Sequence, residues 1–233
     1  LPKSGSSFDL SIALSILVAS GSLSQESIDS TLILGELALD GSIRGVNGVL
    51  PALIAGHREG ITRAIIPVAN VDEGALLQSM QVLAFSHIKD LLIYLRTGVG
   101  ESAAPGEIGT GAQNLLDFED VAGQARARFG AEVAAAGGHH LLLIGPPGAG
   151  KTMIASRIPT ILPPLTIEQS LEVTALHSVA GTLSERSPMS RIAPIVAPHH
   201  SATRVAMVGG GAHLIRPGAC SLAHHGVLFI DEA

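Results

Sequence analysis

The sequence contains no tryptophan, one tyrosine and one cysteine, and aromatic residues make up only 3% of its 233 positions. Any core must therefore be aliphatic, and a hydrophobic content of 46% is ample for one. Such a composition suits helices packed on sheets. The lone Cys220 cannot make an internal disulfide, which excludes a disulfide-framed domain and fits a reducing, cytoplasmic setting. Positive charge is also in short supply, with 14 basic against 20 acidic residues and a net charge of −6. That balance counts against a large nucleic-acid footprint on this chain, while leaving room for a local basic strip in a larger assembly. Long apolar runs are absent. Ile12–Ala19 is broken by Ser15 and falls far short of the roughly 18 residues that a membrane-spanning helix needs. No basic-then-apolar leader opens the chain. The expectation is a cytoplasmic protein with no membrane contact.

The chain starts at Leu1 rather than Met and stops at Ala233, directly behind an apolar run ending in Asp231-Glu232. It reads as a fragment cut at both ends. Residues 97–113 are rich in Gly, Ser, Ala and Pro without hydrophobic periodicity, the signature of a linker. They separate a first module, residues 1–96, from a second, residues 114–233. In the first module the pattern predicts helices over 8–19, 47–57, 72–78 and 88–95, and strands over 31–37, 64–67 and 81–85. This alternation points to an α/β sandwich. The second module opens on the acidic stretch Asp117–Asp120, read as the start of a helix reaching about Ala136 and ended by Gly137-Gly138. A strand over 140–144, helices over 151–158 and 168–176, a loop-rich stretch over 181–220 and a strand over 226–230 complete it.

Between strand and helix lies Gly145-Pro146-Pro147-Gly148-Ala149-Gly150-Lys151-Thr152, which fits G-x-x-x-x-G-K-[ST]. Each part has a physical reason. Glycines let the backbone curl so that several N–H groups point at phosphates. Lys151 places a cation on the β- and γ-phosphates, and Thr152 offers a hydroxyl to Mg²⁺. All eight residues are therefore candidates for binding ATP or GTP. The run Val227–Ile230 followed by Asp231 and Glu232 supplies a partner. Asp231 would hold Mg²⁺, and Glu232 would act as general base on the attacking water. The interval between Lys151 and Asp231 is long for one intervening strand and two helices. It implies an insertion within 181–220.

These residues carry a resemblance. GGHHLLLIGPPGAGKTMIASRIPTILPPL (137–165), LEVTALHSVAG (171–181) and RPGACSLAHHGVLFIDEA (216–233) resemble the Mg-chelatase-like AAA+ ATPases of the YifB/ComM family, and the likeness runs over nearly the whole chain. The resemblance implies an α/β fold in two parts: a Lon-protease-like (S5-like) domain, incomplete at its start, then a P-loop AAA+ core truncated after Asp231-Glu232. It implies ATP and Mg²⁺ as cofactors, a homo-hexameric ring, and DNA as a partner, since ComM members act as helicases in branch migration during natural transformation. Asp120-Val-Ala-Gly-Gln124 resembles the family segment that lies against the adenine. An alternative is an ATP-dependent remodeller of proteins, or a metal-insertion partner as in magnesium chelatase. Residues 1–7, ending in Ser7, resemble the Lon segment that holds the nucleophilic serine. The Lon catalytic lysine would fall on Leu50, which cannot take a hydroxyl proton. The first module is thus expected to lack proteolysis. The chain by itself is expected not to turn over ATP, because the arginine finger, the sensor residues and a strand between the P-loop strand and the Asp231 strand would all follow Ala233.

Three His-His pairs, 139–140, 199–200 and 224–225, complete the inventory. Neighbours on a strand point to opposite faces, and no Cys or acid beside them completes a ligand set. They read as packing or hydrogen-bonding residues, and Cys220 as inert.

Overall fold

The computed structural model describes residues 6–100, 102–104, 116–183, 189–211 and 215–231. The chain forms two compact units, one of residues 1–109 with 177–188, the other of residues 110–176 with 189–233. Residues 177–188, which the sequence reading assigns to the second module, thus belong to the first unit.

The first unit is built on helix α1 (Asp9–Ala19), strands β1 (Thr31–Ile33), β2 (Glu36–Leu37) and β3 (Ile43–Arg44), helix α2 (Val49–Arg58), strand β4 (Arg63–Pro67), helix α3 (Val71–Ala75), strand β5 (Gln81–Phe85) and helix α4 (Ile88–Thr97). The strand expected over 31–37 is two pieces, because Gly35 adopts a positive φ of 147° between them. β1, β4 and β5 form a parallel sheet in the order β1-β4-β5, and β2 pairs with β3 as an antiparallel ribbon. Side chains alternate across the parallel sheet. Ile65 of β4 packs with Leu10 and Leu14 of α1 and Leu91 of α4, whereas Ala64 and Ile66 pack on the other face with Val49 and Leu53 of α2. The result is the α/β sandwich that the sequence predicts. Residues 102 and 103, read as linker, run beside β5: the Ser102 hydroxyl accepts from the Ala84 amide at 2.8 Å, and the Ala103 amide donates to the Ala84 carbonyl at 3.0 Å.

A buried polar cluster fastens the start of α2. Glu73 is 6% exposed and accepts from the Leu50 amide at 3.0 Å, from Asn70 Nδ2 at 2.7 Å and from the Ser178 hydroxyl. Asn70 in turn clasps the backbone of Val46, accepting from its amide at 3.0 Å and donating to its carbonyl at 2.9 Å. The Leu50 amide lies in the first helical turn, where no backbone carbonyl is in reach, so Glu73 supplies its acceptor.

The second unit carries helix α5 (Ala125–Gly137), the short helix α6 (Lys151–Ala155), helix α7 (Ile167–Ala180, whose last four residues belong to the first unit), strand β6 (Ile195–Val196), helices α8 (Arg204–Val208) and α9 (Ala219–Leu222), and strand β7 (Val227–Leu228). The helix expected from 117 starts only at Ala125, because Gly123 and Gln124 take left-handed φ angles of 70° and 50°. Phe118 and Val121 nevertheless anchor a small core with Ala131 of α5 and Ile154 of α6. The helix expected over 151–158 stops at Ala155, with a single 3₁₀ turn over Ile158–Ile161 beyond it.

The strand expected over 140–144 is not formed. A strand exists only through its neighbours, and among the described residues none pairs with this segment. Leu143 packs on the Phe118 core, while Leu142 and Ile144 remain 79% and 89% exposed. The strand expected over 226–230 shortens to β7, paired in parallel with β6 from the stretch read as loop. The pairing passes so close to Gly226 that a Cβ there would lie 2.1 Å from the Pro194 carbonyl oxygen. Among the described residues no helix is long and apolar enough to cross a membrane.

Candidate functional site

The loop 145–152 turns on itself before α6. The Ala149 amide donates to the Pro146 carbonyl at 3.2 Å, and Gly148 and Gly150 take φ angles of 77° and 83°. Those are left-handed conformations that an L side chain rarely adopts, so Gly148 and Gly150 are required by the backbone path. Gly150 caps α6, and the Ile154 amide donates to its carbonyl at 3.0 Å. The first amides of α6 therefore open onto the loop.

Two side chains of the motif have defined partners. Lys151 Nζ donates to the carbonyls of Gly145 and Pro146 at 2.9 and 3.1 Å, so the cation lies across the loop it belongs to. Thr152 Oγ1 donates to Asp231 Oδ2 at 3.3 Å across 79 residues of sequence. β7, pinned by β6, delivers Asp231 to this place. The predicted candidates Gly145 to Thr152 and Asp231 are thus brought together. Glu232 lies outside the described residues. A hydroxyl beside a carboxylate offers hard oxygen ligands of the kind Mg²⁺ takes, and the residues present fit that ion. The loop itself is solvent-exposed over Gly145–Gly148.

Gln124 adds a contact that its sequence neighbourhood did not specify: its Nε2 donates to the Ala149 carbonyl at 3.1 Å, tying the 120–124 segment to the loop. Arg128 steadies the same segment through the Val121 carbonyl at 2.8 Å and lies over the Phe118 ring.

In the first unit, Leu50 is fully buried and Ser7 is half-buried in a 3₁₀ turn, its carbonyl accepting from the Gly35 amide at 2.9 Å. A buried leucine offers the serine no base.

The histidine pairs depart from expectation at one place. For 224–225 an acid does complete a set: Glu172 Oε2 accepts from His225 Nε2 at 2.7 Å and lies 3.4 Å from His224 Nε2. The fold brings this residue in from α7, 53 positions earlier than His225. Hydrogen bonds from His225, then His224, hold the Glu172 carboxyl below its ordinary value.

Residues 117–233 match the family described as magnesium chelatase, subunit ChlI, and residues 1–70 match a second model described as subunit ChlI of Mg-chelatase. Over its whole length the chain is 47% identical to an uncharacterized protein of Mycobacterium tuberculosis, 42% to the uncharacterized protein YifB of Escherichia coli and 38% to the competence protein ComM of Haemophilus influenzae. It spans about half the length of these relatives, 46%, 45% and 46% respectively. A partial match, 31% identical over 98 residues, links 40% of the chain to 12% of the Lon protease of Clostridioides difficile. With a parallel-sheet α/β architecture, a glycine-shaped loop and a paired Thr152 and Asp231, the chain belongs to the Mg-chelatase-like AAA+ ATPase family that includes YifB and ComM.

Proposed function

We propose that the chain is the ATP-binding part of an AAA+ ATPase motor, with its nucleotide on the loop Gly145–Thr152. The observation that carries the reading is the approach of Thr152 to Asp231 within 3.3 Å, next to a lysine folded over its own loop. In this reading the amides of the loop and of the first turn of α6 bind the phosphates. Lys151 exchanges the carbonyls of Gly145 and Pro146 for phosphate oxygens. Thr152 and Asp231 would hold Mg²⁺. When bound, the ion would offset the charge of the phosphates. Glu232, from its place after Asp231, orients the water and takes its proton.

For the full-length protein we propose a homo-hexameric, cytoplasmic DNA helicase or branch-migration factor working in recombination or natural transformation. Support comes from the similarity to the competence protein ComM. A second reading, protein remodelling or metal insertion, is favoured by the family's description as a magnesium chelatase subunit. ATP turnover by the full-length protein separates them. Turnover that rises with forked or single-stranded DNA supports the first reading. ATP hydrolysis indifferent to DNA would overturn it.

A further inference from the structure

The geometry points to a second metal site, for a divalent transition metal, formed by Glu172, His224 and His225, all in the second unit and separate from the nucleotide loop. We propose that such an ion clips α7 to the turn that leads into β7.

Adjacent residues in an extended chain send their side chains apart, which is why a His-His pair reads poorly as a chelate. Here the backbone breaks that rule. His225 has a φ of 55°, the left-handed conformation uncommon for a residue with a side chain. The turn it makes swings both imidazoles to one side, with ring centroids 3.9 Å apart. Both Nε2 atoms then face one carboxylate oxygen, and one ligand atom from each of the three residues lies within 4.8 Å of the others. Ligand bonds of about 2.0–2.2 Å place tetrahedral neighbours roughly 3.3 Å apart, and the two histidine nitrogens lie 2.7 and 3.4 Å from Glu172 Oε2, near that spacing. A strained residue that brings functional groups together is the kind of outlier from which a site is reasonably inferred.

The donor set decides the metal. Two imidazole nitrogens with one carboxylate suit Zn²⁺, Co²⁺, Ni²⁺ or Cu²⁺, and not Mg²⁺ or Ca²⁺, which prefer oxygen alone. The side chains of Glu172, His224 and His225 are 60%, 47% and 26% exposed, so water can complete the coordination and the ion can enter from solvent. Among the described residues this is the His-His pair joined by a carboxylate; His199 instead meets the Ser201 hydroxyl at 2.7 Å. The site joins Glu172 of α7 to the turn three residues before Leu228 of β7, on the chain path to Asp231. An ion there would hold the strand that presents Asp231.

The test uses untagged full-length protein stripped with a chelator. Zn²⁺ is titrated calorimetrically, and Co²⁺ is followed by its visible absorption. The expected result is saturable uptake at one site per chain, unaffected by Mg²⁺, together with a rise in the thermal midpoint on adding Zn²⁺. Both signals should fall at least tenfold in affinity in Glu172→Gln and in His224→Ala/His225→Ala. Folding of the variants is checked by circular dichroism and by retained binding of Mg·ATP. His139→Ala/His140→Ala and His199→Ala/His200→Ala should bind as the parent does. No saturable uptake by the parent, uptake unchanged in folded Glu172→Gln and in the 224/225 variant, or uptake lost through either of the other pairs would each overturn the proposal.

Discussion

Replacing Glu73 with alanine removes the acceptor for three groups at once: the Leu50 amide, the Asn70 side-chain amide and the Ser178 hydroxyl. Leu50 is fully buried and Ser178 is 2% exposed, so water does not take over readily. A buried donor left without a partner costs about 1–3 kcal/mol. Asn70 keeps its two bonds to Val46 and loses least. The Leu50 amide loses most, since the helix has no carbonyl to offer it. Together with the space left by the side chain, the expected destabilisation is about 3 kcal/mol, more than a hundredfold in the folding equilibrium. For a unit of this size that lowers the thermal midpoint by roughly 10 °C or more. Glu73→Gln, which preserves the shape and one acceptor oxygen, should fall between the two. The assay is denaturant unfolding followed by far-UV circular dichroism on parent and variants. An alanine variant within about 0.5 kcal/mol of the parent would refute the view that Glu73 caps α2.

Other predictions follow from the same geometry. Gly226→Ala places a Cβ against the Pro194 carbonyl, so the β6–β7 pairing must open; a cost of about 1–3 kcal/mol and weaker Mg²⁺-dependent nucleotide binding are expected, read by unfolding and by nucleotide titration. Asp231→Asn should weaken nucleotide binding in Mg²⁺ far more than in EDTA, because Thr152 and Asp231 are assigned to the ion; equal loss in both would contradict that assignment. Peptide hydrolysis by the first unit should be absent, and activity that disappears in Ser7→Ala would show otherwise. Ser42, through its hydroxyl and then its amide, holds the Asp40 carboxyl below the usual 3.8. Its depressed value means that the small stability it adds is present above the unfolded pKa and is lost as pH falls through the lower folded one. Asp40→Asn should therefore flatten the acid limb of the stability–pH curve slightly, as measured by thermal unfolding between pH 2 and 5.

Much of the first unit was legible because β4 and β5 are mostly buried and α2 and α4 carry apolar stripes. β4, β5, α2 and α4 sit where the pattern puts them, within a few residues. The P-loop was legible because chemistry fixes its spacing: glycines at the left-handed positions, then lysine and threonine at the start of a helix. What escaped were features set by distant partners. β6 is a two-residue strand, Ile195–Val196, between prolines, and only its pairing with β7 makes it a strand. The run 140–144 is as apolar as a strand should be, yet no partner among the described residues engages it. The break at Gly123-Gln124 lay in two left-handed residues, one of them a glutamine that composition alone would place in a helix. Glu172 carries no local signal at all. It reads as an ordinary helix surface acid until the fold sets it against two histidines.

Equilibrium binding of a fluorescent ATP analogue, with Mg²⁺, to the full-length protein and to Lys151→Ala tests whether the loop Gly145–Thr152 holds the nucleotide. The cation that bridges the Gly145 and Pro146 carbonyls is the one assigned to the phosphates. Saturable binding by the parent should be abolished in the variant while its circular dichroism spectrum is unchanged. Binding of equal strength in both proteins would contradict that assignment.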